Sequence, residues 1–198
     1  FYLVVENLLM NIKYPNMRTN LLKMMEKDQY LRHLPEVDND LLRDTDIVHT
    51  NHLRKIINLH GWPTISMVGE DGSRAAWIIA QHSMHDHKFM EQALKRMNQF
   101  VDSNEVSLID VAYLSDRVNM QSSRPQRYGT QFVEVNINGI RHGGVWPLED
   151  PERVDEFRSA INMEPFENII NDLPLIPKEM TIEDIKKIAV DDIRLNKQ

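Results

Sequence analysis

Ala75-Ala76-Trp77-Ile78-Ile79-Ala80-Gln81-His82-Ser83-Met84-His85-Asp86-His87-Lys88-Phe89-Met90 is the centre of a helix-like segment, residues 73–100, with three of the chain's eight histidines within six residues. Wound at about 100° per residue, the segment lines Ala75, Ile79, His82, Asp86, Phe89, Met90, Ala93, Met97 and Phe100 along one stripe. The stripe is apolar at both ends and titratable in the middle. A helix that only packs would carry Leu or Ile at positions 82 and 86. Burying an unpartnered polar group is costly, so His82 and Asp86 either face a cleft or belong to a buried polar network.

Outward from this segment, the chain reads as mostly helical. Residues 2–13 form a short helix stopped by Pro15, and Asn20–Arg32 a second, with Asp28, Gln29 and Arg32 on one side. Residues 34–44 read as a loop. A third helix runs from Asp46 to His60, with Gly61 past its end and Pro63 blocking continuation. Trp62–Asp71 is a connector ending in turn chemistry at Gly69–Gly72, and Ser73 caps the histidine helix. Ser107 starts a further helix to about Met120, with Asp110 at its third position. The strand-like runs Phe132–Ile137 and Ile140–Trp146 flank Asn138-Gly139, a strong two-residue hairpin signal. Asp150 caps a helix with Pro151 at its first position. A short helix lies near Pro165–Asn171. Pro174 and Pro177 stiffen a linker, and Thr181–Leu195 forms a terminal helix with one apolar face. The expected fold is therefore mainly α, a single-domain helical array with one β-hairpin at about 132–146. Residues 1–171 form the domain, and 172–198 are a linker and a helix packing on it.

Composition narrows the function classes. At 198 residues, 41% hydrophobic and 27% charged, the chain suits one globular domain. No apolar run approaches a membrane span. The absence of cysteine excludes disulfides, thiolate zinc sites and a cysteine nucleophile. The net charge of −7 is uneven: residues 147–198 carry 13 acidic and 7 basic side chains. Arg117, Arg124, Arg127 and Arg141 make 117–141 locally positive, but no broad basic face suits a nucleic acid. A small anionic ligand fits better. The expected compartment is the cytoplasm. Because the chain begins at Phe1 rather than Met, export stays open.

Two clusters carry candidate chemistry. In the first, His82 and Asp86, four residues apart, suit an acid–base pair in which Asp86 orients the ring, with His85 and Gln81 beside it. Imidazole with carboxylate also suits a metal, but no second ligand cluster stands out, so neither metal nor cofactor is expected. The bland alternative is a satisfied core histidine. In the second cluster, Arg124–Gln131, Arg124 offers a fork for an anion, and Gln126, Tyr128 and Gln131 offer neutral donors and acceptors. Arg117 ends the preceding helix. The bland alternative is a loop whose side chains tie off the hairpin.

The motifs Gly61-Trp62-Pro63-Thr64, Ala75-Ala76-Trp77, Gln81-His82-x-x-His85-Asp86, Tyr113-Leu114-x-Asp116-Arg117, Arg124-Pro125-Gln126-x-Tyr128-Gly129-Thr130-Gln131 and Pro147-Leu148-Glu149-Asp150-Pro151 occur in order. Lys27-Asp28-Gln29 and Arg32 precede them. Over roughly residues 20–170 the series resembles a widespread bacterial family classed as a domain of unknown function. The resemblance implies that the His82 segment and the Tyr128 loop belong to one recurring pattern, and it implies no activity. Such relatives continue with Pro where this chain has His87, which argues against a shared role for His87.

The functional expectation is an acid–base enzyme, a hydrolase or lyase acting on a small anionic or amide-bearing substrate. His82, His85, Asp86 and Tyr128 would be catalytic, and Gln81, Arg117, Arg124, Gln126 and Gln131 would bind substrate. The alternative is a non-catalytic module that binds a peptide or metabolite. A homo-oligomer stays open.

Overall fold

The structure is a computed structural model, which describes residues 12–137, 140–170 and 180–188. Its elements are α1 (Pro15–Arg32), α2 (Asn39–His60), α3 (Ile65–His82), α4 (His87–Met97), a 3₁₀ turn at Asn98–Phe100, α5 (Leu108–Gln121), β1 (Phe132–Ile137), β2 (Ile140–Val145), α6 (Val154–Ser159), α7 (Glu167–Ile170) and α8 (Ile182–Ile188). The fold is mainly α with one antiparallel two-stranded hairpin. None of its described helices is long and apolar enough to cross a membrane. Contacts divide the chain into two compact units, 1–114 and 115–198.

In the first unit, Pro15 opens α1, five residues before the expected start at Asn20. Pro suits a first helical position because its missing N–H would have had no partner there. The helix expected over 2–13 lies almost wholly outside the described residues. The stretch read as a loop to residue 44 turns helical at Asn39. Asp38 caps it, accepting hydrogen bonds from the N–H groups of Asp40 and Leu41 at 3.1 and 3.0 Å. The expected end at Gly61 stands, with the Gly61 N–H bonded to Ile57 O.

The histidine helix differs from its expected course at both ends. It begins at Ile65 and bends at Gly69, whose φ of 77° and ψ of 166° are non-helical. That conformation strains any residue with a Cβ. So the connector expected to run to Asp71 is largely helical, and Ser73 is buried inside α3 instead of capping it. At the other end the helix stops at His82. Ser83 Oγ lies 2.8 Å from Ile79 O and 2.7 Å from Thr50 Oγ1, so its hydroxyl competes with the backbone ladder. Asp86 then starts α4 as its N-cap, accepting from Phe89 N–H at 3.0 Å. His82 and Asp86 are therefore not neighbours on one helix.

The core of this unit joins Leu21 and Leu31 of α1, Leu53 and Ile57 of α2, Val68 and Ile79 of α3, and Phe89 and Met90 of α4, all buried. Helix α1 packs most extensively on α3. A bidentate pair, Arg18 to Asp71 at 2.8 and 2.5 Å, ties them near the bend.

In the second unit, β1 and β2 pair from Phe132↔Val145 to Ile137↔Ile140. Their joining Asn138-Gly139 lies outside the described residues. Val133, Val135, Met120, Trp146 and Ile185 form one buried cluster, with Met180 and Ile182 against it. A lone hairpin is marginal in water; here α5 and α8 bury its apolar face. Helix α8 opens with a capping box, since Asp184 N–H donates to Thr181 Oγ1 and Thr181 N–H to Asp184 Oδ2, both at 3.2 Å. The linker prolines Pro174 and Pro177 and the end of the tail helix lie outside the described residues. Asp150 does not cap a helix. Arg153 N–H bonds to Asp150 O at 3.2 Å in a turn, and α6 starts at Val154.

Candidate functional site

Asp28, one turn before the end of α1, is fully buried at 0% exposure. Its two carboxylate oxygens each lie 2.9 Å from His82 Nδ1, at the last residue of α3. Gln29 Nε2 donates to Oδ2 at 2.8 Å and Arg32 Nε to Oδ1 at 3.1 Å. Arg32 continues to Asp46 on α2, Nη2 to Oδ1 at 2.6 Å. The result is a hydrogen-bonded chain, His82–Asp28–Arg32–Asp46, drawn from three helices.

The electrostatics of the two carboxylates diverge. Burial alone would raise Asp28, but the bonds and charges of His82 and Arg32 outweigh it and hold the carboxyl at about 2. Asp28 is thus ionised at any physiological pH, and His82 Nδ1 must carry the hydrogen it shares with that carboxylate. The His82 side chain is 18% exposed. Asp46, by contrast, is pushed up to about 6 by burial, against the pull of Arg32.

His49 of α2 adds a second imidazole, and this one is buried. It is 6% exposed, its Nδ1 has no hydrogen-bond partner, and burial lowers its pKa while the charge of Asp28 opposes that shift. Asp28, Asp46 and His49 are the residues that sequence reasoning missed. The Lys27-Asp28-Gln29 and Arg32 pattern was the available signal for the first; nothing local marks Asp46 or His49.

The remaining first-unit candidates have other work. Asp86 caps α4 and pairs with Arg54, Nη2 to Oδ2 at 2.6 Å. Burial raises its carboxyl, but the Phe89 N–H and Arg54 outweigh that and lower it. Asp28, not Asp86, is the carboxylate on His82. His85 sits exposed in the link between α3 and α4, partial desolvation lowering its pKa. Gln81 is buried, its Nε2 3.5 Å from Tyr113 O. Arg74 bonds to the buried Asp110 at 3.2 Å, and burial pushes Asp110 up to about 6.

The Arg124–Gln131 loop, in the second unit, is knotted to its own scaffold. Asp116 of α5 is fully buried and accepts from the backbone N–H groups of Arg127, Tyr128 and Thr130 at 2.8 to 3.2 Å, and from Thr130 Oγ1 at 3.0 Å. Burial still pushes its carboxyl up. Gln126 Nε2 donates to Gln131 O and Trp146 O at 2.9 and 2.7 Å, and its Oε1 accepts from Gln131 N–H at 2.8 Å. Gln131 Oε1 accepts from Arg117 Nε at 2.9 Å, inside the unit. Gly129 takes φ 67°, and a Cβ there would meet Phe166 at 2.3 Å. So Gln126, Gln131 and Arg117 are buried ties of the loop. The Arg124 side chain is exposed and that of Tyr128 half-buried.

Among the described residues, no group of three or more histidine and acidic side chains is placed to hold a metal ion. The model of a family of unknown function (DUF6624) matches residues 15–176, and the chain belongs to that family. Comparison with curated proteins and with solved structures found no match. The family span covers both the His82 network and the Asp116 loop.

Proposed function

We propose that this family member is an acid–base enzyme, a hydrolase or lyase acting on a small anionic or amide-bearing substrate, with His82 as the working base. The observation that carries the reading is the contact of His82 Nδ1 with both oxygens of an ionised, fully buried carboxylate. Such a pairing orients an imidazole, fixes its tautomer and stabilises the imidazolium formed when Nε2 takes a proton. For hydrolysis, Nε2 accepts a proton from water as its oxygen attacks the substrate carbon, and returns it to the leaving group. For elimination, it takes the proton from carbon, the C–H electron pair forms the new double bond, and the leaving group departs from the adjacent carbon with its bonding pair. Asp28 stays ionised throughout, and Arg32 balances its charge. Asp46, at about 6, supplies a group that changes protonation near neutral pH. Paired carboxyls whose environments push their pKa values apart are a recurrent acid–base arrangement.

The loop candidates Arg117, Gln126 and Gln131 serve the fold in this proposal, and the chemistry rests on the first unit. A second reading, a non-catalytic binding module, draws on the same network. It would bind a peptide or metabolite without turning it over, with Arg32 and Asp46 fixing the packing of the helices.

Nitrogen-15 NMR of the histidines, combined with turnover assays on a panel of small amides, esters and β-substituted carboxylates, separates the two. An enzyme requires the Nδ1–H tautomer at His82, a titrating Nε2, and turnover that His82→Gln lowers by about 10²–10⁴-fold. Turnover unchanged in His82→Gln, or a ring that does not titrate between pH 4 and 9, would sink the catalytic reading.

A further inference from the structure

Away from the His82 network, the first unit carries a groove of about 510 Å³ between the start of α1 and the last three turns of α2. Met17, Ile56 and Leu59 supply its apolar surface. Leu59 is 78% exposed, the most exposed of the three large aliphatic side chains that α2 leaves open, with Leu41 at 46% and Val48 at 64%. Its polar side chains are Lys13, Lys55, His52, His60, Asn16 and Asn20, and no Asp or Glu lines it. Lys13 lies over the Tyr14 ring at 5.3 Å, and that ring tilts against His60 with centroids 5.3 Å apart. Among the described residues neither lysine has a carboxylate at ion-pair distance. Tyr14 gives α1 no side-chain cap, so the positive end of an 18-residue helix also opens on the groove.

These features sit on a chain of net charge −7, where a lining with two lysines and no carboxylate is the opposite of the average surface. An apolar trough lined by two lysines that have no carboxylate at ion-pair distance among the described residues complements an amphiphile with one negative end. The absence of arginine from the lining removes the bidentate fork that phosphate and sulfate favour, while lysine point charges suffice for a carboxylate. We propose that this groove binds an unbranched aliphatic monocarboxylate of about eight to twelve carbons, its chain along Met17, Ile56 and Leu59 and its carboxylate held by Lys13 and Lys55. The site is separate from the His82 network and stands whether or not that network is catalytic.

Isothermal titration of the full chain with hexanoate, octanoate and decanoate, each below its micelle-forming concentration, tests it. The expected result is one site per chain, with affinity rising about three- to fourfold per added methylene. Decanol should bind at least tenfold more weakly, and decyltrimethylammonium should show no saturable binding. The double variant Lys13→Glu/Lys55→Glu should weaken decanoate at least tenfold with an unchanged circular dichroism spectrum, since both side chains are exposed. Leu59→Asp should weaken it comparably, and His82→Gln should bind as the parent does. No saturation by decanoate, equal binding of the cationic amphiphile, or a double variant that binds normally overturns the proposal. Loss of binding in His82→Gln overturns it too, because the fatty acid would then occupy the other network.

Discussion

Asp28 and Asp116 are both aspartates with no exposed surface, yet the two regions around them are built for different ends. Asp28 is held by side chains, His82, Arg32 and Gln29, and two of these can carry charge. Its carboxyl falls to about 2. Asp116 is held by three backbone N–H groups and one hydroxyl of a single loop, and burial pushes its carboxyl up. A carboxylate satisfied by an imidazole can pass on the consequences of a protonation change. One satisfied by backbone can only hold the backbone where it is. Burial alone therefore does not set the state of a carboxyl; the chemistry of its hydrogen-bond partners does.

Three measurements press on that contrast. The largest effect is expected from Asp116→Ala, which leaves three buried N–H groups and the Thr130 hydroxyl without their acceptor. At roughly 1–3 kcal/mol per buried group, partly relieved by water, the variant should lose about 4 kcal/mol in denaturant unfolding. A loss under about 1 kcal/mol would mean that the loop keeps its shape without the staple. Next is the acid limb of stability. A folded pKa of about 2 against an unfolded value of 3.8 means the folded state binds the Asp28 proton more weakly. The resulting stabilisation is fully present above pH 4 and is lost as pH falls toward 2. It amounts to about 2 kcal/mol. The difference in unfolding free energy between the parent and Asp28→Asn should shrink by that amount between pH 5 and 2. A difference that is flat with pH would show that Asp28 is not held ionised by His82 and Arg32. The smallest effect belongs to Asp86→Ala, which removes a helix cap and an ion pair to Arg54 and should cost about 1 kcal/mol. It should leave the nitrogen-15 shifts of His82 unchanged. A shift comparable to that of Asp28→Asn would return Asp86 to the histidine.

Much of the architecture is legible in the residues. Periodicity locates the helices ending at Arg32, His60 and Gln121, and Asn138-Gly139 announces the hairpin whose strands occupy 132–137 and 140–145. The errors cluster where two local signals compete. The apolar pattern starts α1 at Asn20, while Pro15, which suits a first helical position, opens it five residues earlier. Ser83 and Asp86 interrupt a stripe whose apolar residues resume nearly in phase, so the break between α3 and α4 is invisible to a pattern count. The cap itself, Asp86 three residues before Phe89, was the sign that could have revealed it.

The candidate site divides in the same way. Sequence alone identifies His82 as an anomaly, because a titratable group on an apolar stripe has to be accounted for by a partner or a cleft. It also determines the helical class, the hairpin and the capping of the tail helix at Thr181, each of which depends on residues within a few positions of one another. Only the tertiary structure decides that the partner of His82 is Asp28, 54 residues away, and that Gln126 and Gln131 spend their amides on the loop. Periodicity describes which residues share a face of one element. It carries no information on which face of another element will meet it, and the charge, tautomer and pKa of a buried group are set by that meeting.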